Sequence, residues 1–315
     1  MAQDWAERVR TIEFEKDVDY LLRDDPGKIM GLGIRTKNSA GSSSVQITDR
    51  FSDLNTHPVN GRNSPTAHQD LDVTRYWINK PKREGIAVLL DPDDELGTEV
   101  GLDGPIEVGV AQGIRRYRAR RFFEAYYGPT WTGDTSGTVQ EVFPPANVLP
   151  ADLETPGTPT GLTLQKLIKV RTKSNKLRWS SNQMHRPIWM VTAEEIEDLL
   201  NIDQFVNGRY NPEFEKTLHD GQVSFFMGFN FLAYEFDNEE ETAFVATTVG
   251  MAKNALGHRR CPVFLPSGLD CREWLAFMGK KSERDDLNYS EQTAGYTALS
   301  FGRSNPAKCL IVEVA

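Results

Sequence analysis

The sequence predicts an α+β fold, and three features carry that expectation. A long polar hairpin occupies about residues 38–84, one uninterrupted helical pattern runs from Ile106 to Tyr127, and aromatic strand segments follow a pair of helices in the second half. The composition supplies the material for such a fold. Of 315 residues, 39% are hydrophobic, 10% aromatic and 26% charged, which is one or two domains' worth of core-forming chain and excludes wholesale disorder. No apolar run approaches the ~20 residues of a membrane-spanning helix, and the opening MAQDWAERVRTIEFEKD is charged throughout with no signal-peptide core, so cytosol-like surroundings are expected.

Taken in order, Phe14, Val18, Leu21 and Leu22 line one face of a short helix over Ile12 to Arg23, which Pro26-Gly27 ends. The run from Asn38 to Ser44 has nothing to bury and reads as a flexible lead-in. Val45, Ile47 and Phe51 alternate with polar residues as a half-exposed strand. Thr56 to Pro65, with two prolines and Asn60-Gly61, reads as the hairpin tip, and Leu71 to Ile78 as its return strand. With Leu71, Val73 and Arg75 alternating against Asp72, Thr74 and Tyr76, that ribbon has little apolar face; a two-stranded ribbon is marginal alone, so a neighbouring subunit is a good candidate to support it.

Ile86 to Leu90 is an apolar run suited to a buried strand, followed by the acidic turn Asp91 to Glu95. Pro105 sits where a first helical turn tolerates proline, and the helix continues to Gly128-Pro129, roughly 30 to 35 Å at 1.5 Å per residue. Ile106, Val110, Ile114 and Tyr117 give it one stripe, with Phe122, Phe123 and Tyr126 crowding its end. Trp131 to Gly161, rich in Gly, Pro, Thr and Asp, reads as a loop without regular structure. Leu162 to Val170 marks a second helix with Thr163 as its cap. Pro187 to Val191 is a strand, and Thr192 to Glu195 has capping-box spacing for a helix with Ile196, Leu199 and Leu200 inward. Val223 to Phe236 suggests strands turning at Gly228, Ala243 to Val249 another strand, and Leu310 to Val314 a buried terminal strand.

The residue types that carry chemistry fall into no working frame. With 36 Lys plus Arg against 45 Asp plus Glu the net charge is −9, and a pI near 5.2 argues against a dedicated nucleic-acid binder. Cys261, Cys271 and Cys309 match no zinc-ligand spacing, and an odd number argues against a disulfide framework. His57, His68, His185, His219 and His258 do not pair at ligand spacing, and His258 three residues from Cys261 is a poor nucleophile and base. Gly31-Leu32-Gly33 lacks the third glycine and the flanking strand and helix of a dinucleotide loop, so it reads as a turn. Asp91, Asp93, Asp94 and Glu95 depart from calcium-loop spacing and read as a solvated turn. The densest charge is Arg115, Arg116, Arg118, Arg120 and Arg121. It surrounds much of the helix, and ion pairing with carboxylates of this or an adjacent subunit explains it better than groove reading. No catalytic, cofactor-binding or metal site is expected, and the chain does not look like an enzyme.

The order of elements resembles the major capsid (coat) proteins of tailed phages, with the Hong Kong 97-type fold. The resemblance is carried by the hairpin return running into IAVLLDPDDEL, by GPIEVGVAQGIRRYRARRFFEAYYG, by TLQKLIKV and RPIWMVTAEEIEDLL, and by DGQVSFFMGFNFLAYEF, and it spans about Phe14 to Val314. It implies an N-terminal arm (1–37), an extended loop (38–84), a peripheral domain on the spine helix (85–160), an axial domain (161–299) and a return strand to the peripheral domain (300–315). It also implies self-assembly as pentamers and hexamers into an icosahedral virion shell around double-stranded DNA, assembly in the host cytoplasm, and no cofactor. Partners implied are a portal, a scaffolding protein and, as an optional addition, a decoration protein. Some members crosslink through a lysine in the extended loop; residues 38–79 here contain no lysine, so that chemistry is not expected. Some carry a scaffolding domain ahead of the arm; only about a dozen residues precede Phe14, so a separate scaffold is expected. The alternative with the same fold is an encapsulin-type bacterial nanocompartment shell, and the outsider is a soluble α+β enzyme.

Overall fold

The computed structural model describes residues 29–51, 56, 68, 70–90, 103–134, 137–179, 186–202, 225–235, 251, 253, 256–287 and 289–315. The expected helix over Ile12 to Arg23, the hairpin tip apart from Thr56, the turn Asp91 to Glu95 and the strand Ala243 to Val249 lie outside the described residues.

The described residues form three sheets joined by one long helix. The first sheet has the order β1-β12-β13-β4. Its centre is a hairpin of two long strands, β12 (Leu269–Arg284) and β13 (Ser290–Arg303), with β1 (Arg35–Asn38) parallel along one edge and β4 (Glu84–Leu90) antiparallel along the other. Helix α1 (Asp103–Tyr127) lies on this sheet. The stripe expected from the sequence is what packs there: Val110, Ala111 and Ile114 are buried, with Ile86, Ile106 and Phe277 against them.

The second sheet has six strands in the order β7-β14-β11-β8-β10-β9. These are β7 (Val148–Leu149), β8 (Ile188–Val191), β9 (Phe225–Phe226), β10 (Phe229–Ala233), β11 (Arg259–Phe264) and β14 (Cys309–Val314). The far end of α1 enters the main core beside it, where Phe122, Phe123 and Tyr126 have no exposure. Their rings meet Phe264, Phe301 and Tyr234 at centroid distances of 5.5 to 5.7 Å. A fully buried side chain of this size contributes roughly 1.5–3 kcal/mol, so this end holds the helix more firmly than the sparse stripe ahead of it. Helix α2 (Leu164–Lys176) adds Leu167 and Val170 to the core, and α3 (Ala193–Leu200) adds Leu199. Both caps follow the sequence: the Thr163 side chain accepts from the Lys166 N–H, and Thr192 with Glu195 forms a capping box. The turn between β9 and β10 puts Met227 (φ 49°) and Gly228 (φ 87°) in the left-handed region, which a two-residue hairpin turn requires.

The third sheet, β2-β3-β5-β6, is built from β2 (Ser44–Phe51), β3 (Val73–Asn79), β5 (Thr130–Thr132) and β6 (Val139–Glu141).

Several expectations are corrected. Residues 269–299, expected in the axial domain, pair with β1 and β4 and carry α1, whereas the terminal strand, expected back in the peripheral domain, pairs with β11 and β7. Continuous hydrogen-bonded ladders, not chain order, set this arrangement. Ile86 to Leu90 is a strand but not a buried one: β4 is a sheet edge, and Leu89 is 48% exposed. Trp131 to Gly161 contains three short strand pieces rather than loop alone. Leu200 points outward at the helix end while Leu199 is fully buried. Asn38 to Ser44 is a bonded turn rather than a loose lead-in, with the Asn38 Oδ1 accepting from the Ala40 N–H and the Ser39 N–H donating to the Glu273 carbonyl.

Candidate assembly surface

The loop ribbon of β2 and β3 does have an apolar face at its foot. The side chains that supply it are on the parity the sequence reading treated as polar: Tyr76 and Ile78 are buried with Ile47 against Trp274 and Ala298. A one-residue difference of phase exchanges the two faces of a strand, and a register shift between Gln46 and Thr48 marks the place in β2. Gly302 allows the contact: a Cβ there would stand 2.5 Å from Ile78 Cγ1 and 2.9 Å from Ile47 Cδ1. Trp274 Nε1 donates to the Ser42 carbonyl at 2.6 Å, and the Lys80 N–H closes the base on the Ser43 carbonyl at 2.9 Å. The ribbon is therefore anchored on its own chain before it departs, which revises the expectation of support from a neighbour alone.

Two of the five clustered arginines likewise find partners inside the subunit. Arg120 and Arg121 both reach Glu84 at the start of β4, Arg121 at 3.1 Å, and both reach Glu124 one turn along α1, at 3.7 and 2.9 Å respectively. They tie the helix to the sheet edge. Glu194 and Glu195 are engaged instead by Lys253 and Arg259, and Asp198 accepts from the Leu162 N–H at 2.6 Å. Arg115 and Arg116 stand on the exposed side of α1.

A cleft of about 200 Å³ opens beside the ribbon foot, lined by Trp77, Trp131, Arg121, Glu124, Ser300 and Arg303 among others. Trp77 and Trp131 are cross-strand partners, and Trp77 Nε1 donates to the Gly133 carbonyl at 2.7 Å. Arg303 is 1% exposed. Its Nε donates to Thr130 Oγ1 at 2.9 Å and its Nη1 to the Tyr126 carbonyl at 2.5 Å, next to the end of α1, where a cation offsets the helix's free carbonyls. Nothing in the sequence singled this arginine out, since a charged residue near a strand end looks like surface.

The remaining reactive groups are structural. Cys261, Cys271 and Cys309 are buried free thiols; burial pushes Cys271 and Cys309 up to about 12, and Cys261 well above the ordinary thiol range. A nucleophile needs the thiolate, so His258 and Cys261 make no catalytic pair. Lys166 is fully buried, donating to the Thr160 and Glu313 carbonyls at 2.5 and 3.1 Å, and burial lowers its pKa. Met30–Leu32 forms one helical turn closed by Gly33 in the left-handed region, so the Gly31-Leu32-Gly33 segment is a turn. Among the described residues, no group of three or more His, Cys, Asp and Glu could hold a metal ion.

A helix laid along a long-stranded sheet, a second sheet with two capped helices, and an anchored ribbon define the Hong Kong 97-type fold of phage shell proteins. The chain belongs to the phage capsid protein family, which matches residues 13–315, and it is a major capsid protein. No curated protein matches it in sequence. In structure it is similar to the capsid of cyanophage P-SCSP1u (TM-score 0.66, 9% identity, 90% of this chain and 86% of that one). Similar likenesses hold for the capsid of cyanophage Pam1 (0.63, 10%, 90% and 89%) and that of a native GTA particle (0.61, 9%, 92% and 90%). These matches do not favour the nanocompartment alternative.

Proposed function

We propose that the chain is the shell subunit of a tailed double-stranded DNA phage, forming pentamers and hexamers that close an icosahedral shell around the genome. It acts structurally, without catalysis, and assembles in the host cytoplasm with a separate scaffolding protein, a portal and, optionally, a decoration protein. The observation that carries this reading is the match to the phage capsid family along almost the whole chain. The ribbon sheet adds support, since Leu71, Val139 and Val142 are 53%, 57% and 69% exposed in the lone subunit. In domain terms, the arm (1–37) and loop (38–84) keep their expected ranges. The peripheral unit joins β1, β4, α1, β12 and β13, and the axial unit joins the six-stranded sheet with α2 and α3. Electron microscopy of the purified chain, expressed with its scaffold, is expected to show closed shells; protein that remains monomeric at high concentration overturns the reading. Nuclease-protected DNA in virions, with this chain as the main shell protein, tests enclosure of a genome.

A further inference from the structure

Arg303 is a buried cation whose hydrogen bonding is incomplete. Nε and Nη1 are taken by Thr130 and Tyr126, and the guanidinium carbon lies 4.9 Å over the Phe143 ring, but Nη2 is buried with no hydrogen-bond partner. Among the described residues no carboxylate forms an ion pair with it; Glu141 is felt only through its charge. Leaving a charged donor buried and unmatched is costly, and Arg303 lines the cleft beside the ribbon foot. The other cation there, Arg121, is engaged by Glu84 and Glu124, and Glu124 is the one carboxylate of the lining. The lining thus carries two guanidinium groups against one carboxylate that is already paired.

We propose that this cleft is an acid-binding socket for a neighbouring copy of the chain: an Asp or Glu side chain enters beside Trp77 and Trp131 and accepts from Arg303. This rests on the shell reading, because a shell places another copy against each subunit. Charge complementarity selects the occupant, since the chain has 45 acidic against 36 basic residues and every copy presents carboxylates in excess. The chemistry suits it too: an arginine matches a carboxylate in a charge-assisted bond, and Trp with Arg is the pairing enriched at the energetic centres of interfaces.

Ser300 borders the cleft and gives the test. Ser300→Glu supplies the acid from within the same chain, whereas Ser300→Gln has the same size and no charge. In the full chain with its scaffold, Ser300→Glu is expected to lower shell yield by about tenfold relative to Ser300→Gln, because like charges brought together at an interface repel. Its own melting temperature should be equal or higher, since Arg303 gains a partner. Equal shell yields from the two variants overturn the proposal and leave the cleft filled by solvent only. As a second measurement independent of that variant's folding, p-benzoylphenylalanine in place of Trp131 should photocrosslink assembled copies at a peptide containing Asp or Glu. Products confined to one chain overturn the socket. Failure of the parental chain to form shells strikes instead at the capsid reading, and the socket falls with it.

Discussion

Single residues decide how the interior answers to pH and to substitution. The thiols of Cys271 and Cys309 titrate near 12 in the folded chain because they are buried, against about 8.5 in the unfolded one. Between those values the folded protein holds protons that the unfolded chain has released, so stability is full below about pH 8.5 and falls as pH rises. Each thiol contributes a slope of up to about 1.4 kcal/mol per pH unit. Denaturant unfolding at pH 8, 9 and 10 should show the decline, and Cys271→Ala should flatten it by one thiol's share; a flat profile in the parent contradicts the buried assignment. Gly302 predicts a second effect. Gly302→Val places atoms where Ile78 and Ile47 already stand, and overpacking of this kind costs about 1–3 kcal/mol. The denaturation midpoint should fall accordingly, with proteolysis of the ribbon rising at the same time.

At the scale of elements, α1 is one helix with two kinds of support: a thin stripe over the sheet, and three aromatic side chains sunk in the core. The link between β4 and α1 runs through Glu84, which Arg120 and Arg121 share. These groups are partly exposed, so Glu84→Gln should cost less than about 1 kcal/mol globally, while amide exchange in β4 accelerates. Unchanged exchange there would assign the β4 anchorage to its ladder with β13 alone. The helices were legible because their signals are local: a proline and a glycine bracket α1, and Thr163 and Thr192 cap α2 and α3. The hairpin of β12 and β13 was not. Lys280, Lys281, Glu283 and Arg284 load its outer end with charge, and register shifts around Leu275 break the period-two pattern that announces a strand. The apolar run of β4 misled in the opposite direction, because composition alone does not distinguish an edge strand from a central one.

For the whole molecule, the order of elements identified the fold where no single motif did, and the functional surface stayed hidden for a related reason. A shell protein works through faces completed by other copies, so residues such as Arg303 carry meaning only once β3, β5 and β13 are placed around them. The ribbon makes this testable on a large scale. Its foot is fixed to the subunit by Ile47, Tyr76, Ile78, Trp274 and Gly302, and Thr56 to Pro65 contributes no residue to the described core clusters. Shortening a loop tip changes closure entropy only slightly, so deleting Thr56 to Pro65 should leave the circular dichroism spectrum and melting temperature of the subunit close to those of the parent. Assembly should suffer instead, because the same lost contact recurs at every subunit of a closed shell. Sedimentation of the deletion variant with its scaffold is expected to show several-fold less material at the position of shells and more in free capsomers. Shells formed at parental yield would move the assembly role from the ribbon tip to the anchored foot, whereas global unfolding would mean the tip belongs to a core.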